Sequence, residues 1–376
     1  MTRREWIAGA GVAPAGALRA QAPAALVALA RCASYGAELA PALARMFDQI
    51  GGLARLVQGK TVAVKINLTG NPDSRHGYYP AGVTHWTHEN VIGAAVHLMG
   101  RAGARRIRLL ESPWKSAEPI EEFILAAGWD PQVLLNAAPR VEFENTNYLG
   151  RGRRYHRMPT PRGGHIFRAF DLNHSYEECD VFVSIAKLKE HLTAGITLSM
   201  KNCFGITPCT IYGDGAGAEE PGLTPRGGRG PIHSGNRQPS RSALPESDPK
   251  SPREGGYRVP RVVADLVAAR PVHLAIIDGI QTQTRGEGSG TRGSVVVAPG
   301  VLLAGTNCVS TDAIGAAVMG FDPMADRGTA PFETCDSTLR LAEELGVGSR
   351  DPKRIEVIGA RIEEVRFDFR RATATA

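Results

Sequence analysis

Short apolar runs rich in β-branched residues alternate along this chain with stretches whose apolar residues recur at helical spacing. The most regular interval covers residues 106–135, where a strand, a helix and a second strand (residues 133–135) are predicted in turn. Strands separated by a helix in this way are typical of parallel pairing. The sequence therefore predicts an α/β fold with a largely parallel sheet flanked by helices, arranged as two lobes with a cleft between them.

Several further elements follow from the same periodicities. Residues 60–67 and 181–185 are predicted as strands, and residues 141–145 are predicted to pair with residues 154–159 as a β-ribbon. A helix is predicted to follow residues 84–90. Another is predicted over residues 312–319, where Asp312 in the first turn suits the helix dipole and is favoured as a structural cap over a ligand.

A dense group of polar residues follows the buried run at 181–185. Lys187, Lys189 and His191 come directly after it, and Lys201 and Asn202 follow ten residues later. Ligands of open α/β sheets bind beyond the carboxyl ends of the strands, so this group predicts a site for an anionic or metal-bound ligand. A solvated, charged loop is the alternative on spacing alone. The apolar residues interspersed with the lysines favour packing against the core instead.

The same stretch carries a family resemblance. Its Lys-Leu-Lys-x-His pattern and the run at residues 200–205 resemble the family catalogued as domain of unknown function 362. Further matches are Val-Lys-Ile-Asn-Leu at 64–68, Ile-Ile-Asp-Gly-Ile at 276–280 with Gly-Glu-Gly at 286–288, and Leu-Ala-Gly-Thr-Asn at 303–307 running to 313. Together they span roughly residues 60–325. The activity of the family is unassigned, so the resemblance implies a fold and a site without a reaction.

Through this family the chain is remotely similar to the nickel-pincer lactate racemases, in which a lysine holds the cofactor and histidines move protons. The resemblance implies Lys187 or Lys189 as the anchor and His191 or His85 as the acid/base. It leaves the cofactor unknown, with a metal ion or a metal-containing nucleotide as candidates. A full set of racemase catalytic residues cannot be aligned onto this chain.

The predicted cleft collects polar side chains from several strand ends. Lys65 and Asn67 share one face of a strand, and the alternative is that they face solvent on an edge. Asp278 ends a strand before a glycine-rich turn, which suits binding of polar groups or a tight turn equally well. His85 and His88 would share a helix face and bind one metal with His191, or make ordinary hydrogen bonds. The predicted catalytic residues are His191, His85 and Lys187; the predicted ligand-binding residues are Lys65, Asn67, Lys189, Lys201, Asn202 and Asp278; the predicted metal ligands are His85, His88 and His191.

The N-terminal residues resemble a twin-arginine export signal. Arg3 and Arg4 precede a weakly hydrophobic run rich in Ala and Gly, and Ala20-Gln21-Ala22 matches a cleavage site. Residues 1–22 are therefore predicted as a signal peptide that uses the twin-arginine export machinery and sends the protein to the periplasm. The run is too short to be a permanent membrane anchor. The alternative is an ordinary basic N-terminus.

The composition of the chain argues against some classes of binding partner and cofactor. The formal net charge of the 376 residues is +6, but Lys and Arg do not cluster with aromatic residues, which argues against nucleic-acid binding. The six cysteines include no C-x-x-C, so no iron–sulfur cluster is expected from this chain. Cys203 and Cys209 are the nearest pair for a disulfide, and buried free thiols are equally compatible with the sequence.

The mature chain is predicted as residues 23–211 and 261–360 of one α/β domain, a Gly/Pro-rich insert at 212–260, and a C-terminal tail at 361–376, frayed at its Ala-Thr end. An insert of this length is either disordered or a lid over the site, and the lid is favoured because it directly follows the polar motif. Two functions remain open. The first is a metal- or cofactor-dependent enzyme acting on a small anionic molecule through the Lys/His-lined cleft; the alternative is a non-catalytic periplasmic protein that binds an anion or cofactor.

Overall fold

The computed structural model describes residues 25–114, 118–216 and 228–374. The predicted signal peptide at 1–22 lies outside these residues. The strands are β1 (Ala25–Arg31), β2 (Thr61–Lys65), β3 (Arg106–Glu111), β4 (Val141–Asn145), β5 (His156–Pro159), β6 (Ala169–Leu172), β7 (Val181–Lys187), β8 (Lys189–His191), β9 (Gly195–Thr197), β10 (Leu274–Gly279), β11 (Thr282–Gln283), β12 (Val296–Val297), β13 (Val301–Gly305) and β14 (Ile355–Gly359).

Helices precede or follow most of these strands. They are α1 (Leu39–Gln49), α2 (Leu53–Val57), α3 (Glu89–Arg101), α4 (Ile120–Ala126), α5 (Pro131–Leu135), α6 (His174–Glu178), α7 (Ser199–Asn202), α8 (Cys209–Tyr212), α9 (Gly230–His233), α10 (Gly255–Ala269), α11 (Cys308–Val318), α12 (Thr338–Glu344), α13 (Ile362–Val365) and α14 (Phe369–Ala374).

Eight strands form the central sheet in the order β14-β1-β13-β10-β7-β2-β3-β4. Every neighbouring pair is parallel except the two pairs that involve β13, which runs antiparallel to β1 and β10. The predicted α/β fold with a largely parallel sheet is confirmed. The central strand β7 is buried along its whole length, as expected for a strand covered by helices on both faces.

Two hydrophobic cores lie on opposite faces of this one sheet, because successive side chains of a strand alternate between faces. Val183 and Ile185 of β7 belong to the core that includes α1, α3, α4 and α5, whereas Phe182 belongs to the core that includes α10, α11 and α12. The two cores therefore share a single sheet.

One predicted strand and one predicted strand pairing were wrong. Residues 133–135 belong to helix α5, because the Asp130 side chain accepts a hydrogen bond from the Gln132 backbone N–H and Pro131 occupies the first turn. Strand β4 does not form a ribbon with β5: it is the parallel edge strand of the central sheet next to β3, and β5 pairs with β6 instead.

Asp312 lies within helix α11, whose first turn is capped by Asn307. Its carboxylate accepts hydrogen bonds from the backbone N–H and hydroxyl of Ser199 and from the backbone N–H of Met200. The predicted capping role therefore serves the short helix α7 rather than the helix that contains Asp312. This contact fixes the start of the segment that carries Lys201.

Within the predicted insert, residues 228–254 pack against the body of the protein. Glu246 is buried and forms ion pairs with Arg253 and Arg258, and helix α10 begins at Gly255, before the predicted end of the insert. The predicted C-terminal tail is also partly buried, since Phe369 is fully inaccessible and α14 runs to Ala374. All six cysteines are buried free thiols. Across the described ranges, no helix is both long and apolar enough to cross a membrane.

Candidate functional site

A cavity of about 380 Å³ opens at the carboxyl ends of β2, β3 and β7. This is the edge at which the sequence predicts a ligand site. Seven of the predicted site residues line it: Lys65, Asn67, His85, Lys189, His191, Lys201 and Asn202. Its other polar side chains include Glu111, Arg229, His233 and Glu287. The cavity thus brings together cationic, imidazole and carboxylate groups from distant parts of the chain.

Lys65 is neutralised within the cavity wall. Its ammonium lies 2.7 Å from the Glu111 carboxylate and donates to the side-chain oxygen of Asn202 at 3.1 Å. Burial lowers the pKa of Lys65, and Glu111 opposes that effect. Gly205 permits this arrangement, because a Cβ at that position would lie only 2.9 Å from Lys65 Cε. Lys65, Glu111 and Asn202 therefore line the cavity as one hydrogen-bonded group.

Lys189 is fully buried and joins two loops. Its ammonium donates to the backbone carbonyl oxygens of His85 at 2.6 Å and Glu287 at 2.8 Å. Burial is the largest of the effects that lower the pKa of Lys189 well below its ordinary value, and the charges of Lys201, Lys187 and Lys65 add to it. Lys189 holds the loops on two sides of the cavity at a fixed separation.

Lys201 differs from both. It is half-buried, and among the described residues its ammonium has no hydrogen-bond acceptor and no carboxylate within ion-pair distance. The ammonium lies over the ring of Phe204, 4.4 Å from the ring centroid, which is the geometry of a cation–π contact. Burial lowers the pKa of Lys201 to about 8. Its donors are available to a ligand in the cavity.

Arg229 supplies a second cation that has no carboxylate partner among the described residues. It comes from the insert, is buried, and donates through Nε to the Thr207 carbonyl at 3.1 Å and through one terminal nitrogen to the Ser112 carbonyl at 2.6 Å. Carbonyl oxygens fix the guanidinium plane without neutralising its charge. Arg229 and Lys201 face one carboxylate in the same wall, Glu287, so the lining of the cavity carries an excess of positive charge.

Two imidazoles near Lys201 hold their protons on opposite nitrogens. His191 Nδ1 accepts a hydrogen bond from the Thr193 backbone N–H at 3.1 Å, so the proton of the neutral ring is on Nε2. His233 Nδ1 lies 2.9 Å from the Arg229 carbonyl oxygen, which only accepts, so that ring carries its proton on Nδ1 and a lone pair on Nε2. His191 is thus a donor and His233 a base.

Both rings are neutral near pH 7. Burial and then the charge of Lys201 lower the pKa of His191 well below its ordinary value, and the same two effects lower the pKa of His233 to about 4. His233 also packs edge-on against Phe204, with 4.6 Å between ring centroids. The ring of Phe204 therefore contacts both the Lys201 ammonium and the His233 imidazole.

His85 and Glu287 complete the wall on the other side. His85 is fully buried, its Nδ1 lies 2.9 Å from the Thr84 hydroxyl, and its Nε2 has no hydrogen-bond partner within the described residues. Burial and the neighbouring lysines lower the pKa of His85 to about 3. One oxygen of the Glu287 carboxylate accepts from the Leu192 backbone N–H, and the other lies 3.8 Å from His191 Nε2.

Lys187 and Asp278, predicted as catalytic and ligand-binding residues, do not line the cavity. Both are fully buried, and they form an ion pair of 2.7 Å across neighbouring positions of β7 and β10. Lys187 also donates to the Gly82 and Gln281 carbonyl oxygens and to the Tyr35 hydroxyl. With its donors used inside the protein, this lysine is placed as a structural group.

The predicted metal site of His85, His88 and His191 does not form. His88 caps α3 by accepting from the Asn90 backbone N–H, and its ring stacks on Tyr35 beside the Lys187–Asp278 pair. It does not share a helix face with His85, which precedes the helix. In the three described ranges, no group of three or more His, Cys, Asp or Glu side chains is arranged to hold a metal ion. Of the two lysines predicted to anchor a cofactor, Lys187 is fully buried outside the cavity. Lys189 lines the cavity, but two of its protons are donated to backbone carbonyl oxygens.

Sequence reasoning missed Arg229, His233, Phe204 and Glu287 as members of the site. Arg229 and His233 lie in the Gly/Pro-rich insert, where no apolar periodicity marks an ordered element. Glu287 follows strand β10, within the Gly-Glu-Gly motif that carries the family resemblance, and Phe204 lies in the run at residues 200–205 that carries it too. These two motifs are the available signals, and a carboxylate between two glycines after a strand is suited to a binding loop.

The fold and the site together define an α/β protein with a cation-lined cavity at the carboxyl ends of its parallel strands. The model of the family described as Domain of unknown function (DUF362) matches residues 62–317, and the chain belongs to this family. The predicted family is thus confirmed.

The individual proteins that the chain resembles have low sequence identity to it. A thylakoid-associated protein of Synechocystis sp. is 29% identical over 185 residues, covering 48% of this chain and 50% of that protein. A solved Thermotoga maritima protein is similar with a TM-score of 0.33 and 12% identity, over 66% of this chain and 50% of that one. The lactate racemase apoprotein from Thermoanaerobacterium thermosaccharolyticum is similar with a TM-score of 0.32 and 9% identity, over 73% of this chain and 54% of that one. The chain spans about half the length of each.

Proposed function

We propose that the protein is an enzyme that binds a small organic acid in the cavity and moves a proton on it. The observation that carries the proposal is the pair of cations, Lys201 and Arg229, which have no carboxylate partner among the described residues and border the same cavity. Burying charge without a counter-ion is costly, and a bound carboxylate or phosphate would remove that cost. A cavity of about 380 Å³ suits a molecule of a few carbon atoms.

The imidazoles supply the proton chemistry. His233 Nε2 presents a lone pair as general base, while His191 Nε2–H presents a donor to an oxygen that gains negative charge. Lys201 and Arg229 would hold the acid group and stabilise the charge that develops when a proton leaves a carbon next to it. The low pKa of His233, about 4, keeps the base unprotonated at neutral pH.

Deuterium exchange tests this proposal. Pyruvate, malate and other 2-oxo and 2-hydroxy acids are incubated with the protein in D₂O, and loss of the carbon-bound proton signal is followed by NMR. We expect exchange with the wild type and a loss of about 100-fold or more in His233→Gln, because the general base is removed. His97→Gln, which alters an exposed histidine outside the cavity, is the matched control.

The outcomes separate the two functions. Exchange that persists in His233→Gln at the wild-type rate contradicts the assigned base. Saturable binding of an acid by the wild type with no exchange in any probe contradicts the enzyme and supports a non-catalytic anion-binding protein, which the same two cations favour.

We also propose that the protein is exported to the periplasm by the twin-arginine machinery, on the strength of Arg3 and Arg4 ahead of the Ala/Gly-rich run. Fractionation of cells that express the wild type or the Arg3→Lys/Arg4→Lys variant tests it. We expect the wild type in the periplasmic fraction and the variant retained inside the cell. Equal distribution of the two would contradict export by this route.

A further inference from the structure

The four lysines at the carboxyl edge of the sheet have three kinds of environment. Lys65 is paired with Glu111 and Lys187 with Asp278, each at 2.7 Å. Lys189 has its donors on two backbone carbonyls. Only Lys201, among the described lysines at this edge, has neither a carboxylate nor a carbonyl on its nitrogen. An amine held without such partners is suited to form a covalent bond.

We propose that Lys201 is a covalent nucleophile that forms an imine with the carbonyl group of a small 2-oxo acid, while Arg229 holds the carboxylate of that acid. The inference rests on the proposed function and narrows its substrate class to acids that carry an aldehyde or ketone next to the carboxylate. It also assigns Lys201 and Arg229 different roles.

The surroundings of Lys201 provide what imine formation requires. Phe204 covers one side of the ammonium at 4.4 Å and provides no group to neutralise it. His233 contacts the same ring and presents the Nε2 lone pair, so the base and the amine border one aromatic side chain. His191 lines the same cavity and presents Nε2–H. Base, donor and amine therefore meet in one cavity.

The steps balance without an oxidant or a reductant. His233 Nε2 accepts a proton from the Lys201 ammonium, and the freed nitrogen pair bonds to the carbonyl carbon while the π pair of the carbonyl moves onto its oxygen. His191 Nε2–H donates a hydrogen bond to that oxygen, and His233 returns its proton to the oxygen. The product is a carbinolamine with a neutral hydroxyl group and a protonated nitrogen on the same carbon. His233 then carries a second proton from nitrogen to oxygen, and the C–O bond breaks to release water. Ammonium and ketone thus become protonated imine and water, with no net change in charge.

The pKa of Lys201, about 8, places a useful fraction of the amine in its neutral form near neutral pH. For comparison, the ammonium groups of Lys65 and Lys187 are held in ion pairs that oppose loss of the proton. Burial also lowers the pKa of Lys189, but its donors are committed to two backbone carbonyl oxygens, so it is the geometry that selects Lys201.

Reductive trapping tests the proposal. The full-length protein is incubated with pyruvate and sodium cyanoborohydride, which reduces an imine to a stable secondary amine, and is then analysed by intact mass spectrometry and peptide mapping. We expect one adduct on the wild type, located at Lys201 and at least tenfold more abundant than at the exposed Lys250 in the same digest. Lys201→Arg keeps the charge but cannot form the imine, so the specific adduct should disappear. Lys250→Arg is the matched control and should retain it.

Calorimetric titration with pyruvate in the absence of reductant separates this proposal from the proposed function. Binding by the wild type with no adduct at Lys201 overturns the imine and leaves the acid-binding cavity intact. An adduct that survives in Lys201→Arg, or one that labels Lys201 and Lys250 equally, also overturns it. Absence of both binding and adduct, extended to glyoxylate and longer 2-oxo acids, overturns the imine and the proposed function together.

Discussion

Lys187 and Lys201 lie close in sequence, and their environments are opposite. Lys187 faces the side of the sheet covered by α1 and α3, where Asp278, Tyr35 and two carbonyl oxygens use its protons in a sealed, fully buried cluster. Lys201 lies on α7 over the other face, where its ammonium borders an open cavity and contacts only an aromatic ring among the described residues. Removing one member of a fully partnered buried pair destabilises the fold, whereas a lysine without partners is available to a ligand.

The largest expected effect follows from breaking the sealed pair. Lys187→Met leaves the Asp278 carboxylate buried without its counter-ion, and loss of one partner of a buried pair typically costs about 3–5 kcal/mol. The free energy of unfolding, measured with urea and circular dichroism, should fall by that amount. An unchanged unfolding midpoint would contradict the structural role assigned to Lys187.

Removing the carboxylate that caps α7 should have a smaller effect. Asp312→Asn replaces an oxygen that accepts from Ser199 or Met200 with an amide that donates, leaving buried donors unsatisfied at a cost of about 2 kcal/mol. Urea unfolding measures the loss. Because α7 carries Lys201, the variant should also bind pyruvate more weakly than the wild type. Wild-type stability would show that Asp312 does not hold α7.

Lowering the pH should reduce the free energy of unfolding, because buried neutral histidines such as His233 resist protonation in the folded state. The folded-state pKa of His233 is lowered to about 4 from 6.5, so below pH 6.5 the unfolded chain binds the proton first and stability falls as the pH drops toward 4. Urea midpoints at pH 7.5 and pH 5 measure this. The loss between the two should be about 2 kcal/mol smaller in His233→Gln than in the wild type. An equal loss in both proteins would contradict the lowered pKa.

Lys201→Met should have the smallest effect on stability. The ammonium it removes has no acceptor among the described residues and lies near other cations, so the free energy of unfolding should stay the same or rise by less than about 1 kcal/mol. Thermal unfolding of this variant beside Lys250→Met measures it. A clear destabilisation would indicate that Lys201 is a structural residue like Lys187.

The sequence predicts which residues gather at the carboxyl edge of the sheet, but not which of the lysines there are paired. Strand ends in a parallel sheet meet at one edge, so Lys65, Asn67 and Lys189 could be placed together from periodicity alone. Whether Lys187 is paired depends on the register of β7 and β10. Asp278 lies beside Lys187 on the neighbouring strand, and the sequence of neither strand alone predicts that register. A lysine at a strand end is therefore ambiguous until its cross-strand neighbour is known.

Other parts of the site depend on contacts between residues far apart in sequence. Arg229 and His233 enter the cavity from a Gly/Pro-rich segment without apolar periodicity, where spacing gives no signal. The spacing of His85 and His88 predicts a shared helix face, but the His88 side chain caps the helix and its ring stacks on Tyr35. The Asp130-Pro131 pair that begins α5 is a local helix signal and could have corrected the predicted strand at 133–135.

Calorimetric titration of pyruvate into the wild type, Lys201→Met and Lys250→Met tests the central claim most directly. If the cavity binds an organic acid through Lys201, the wild type and Lys250→Met should bind with the same affinity, and Lys201→Met should bind at least tenfold more weakly while unfolding at the wild-type temperature or above. Equal affinity in all three proteins would contradict the claim that the unpaired Lys201 amine takes part in binding the organic acid in this cavity.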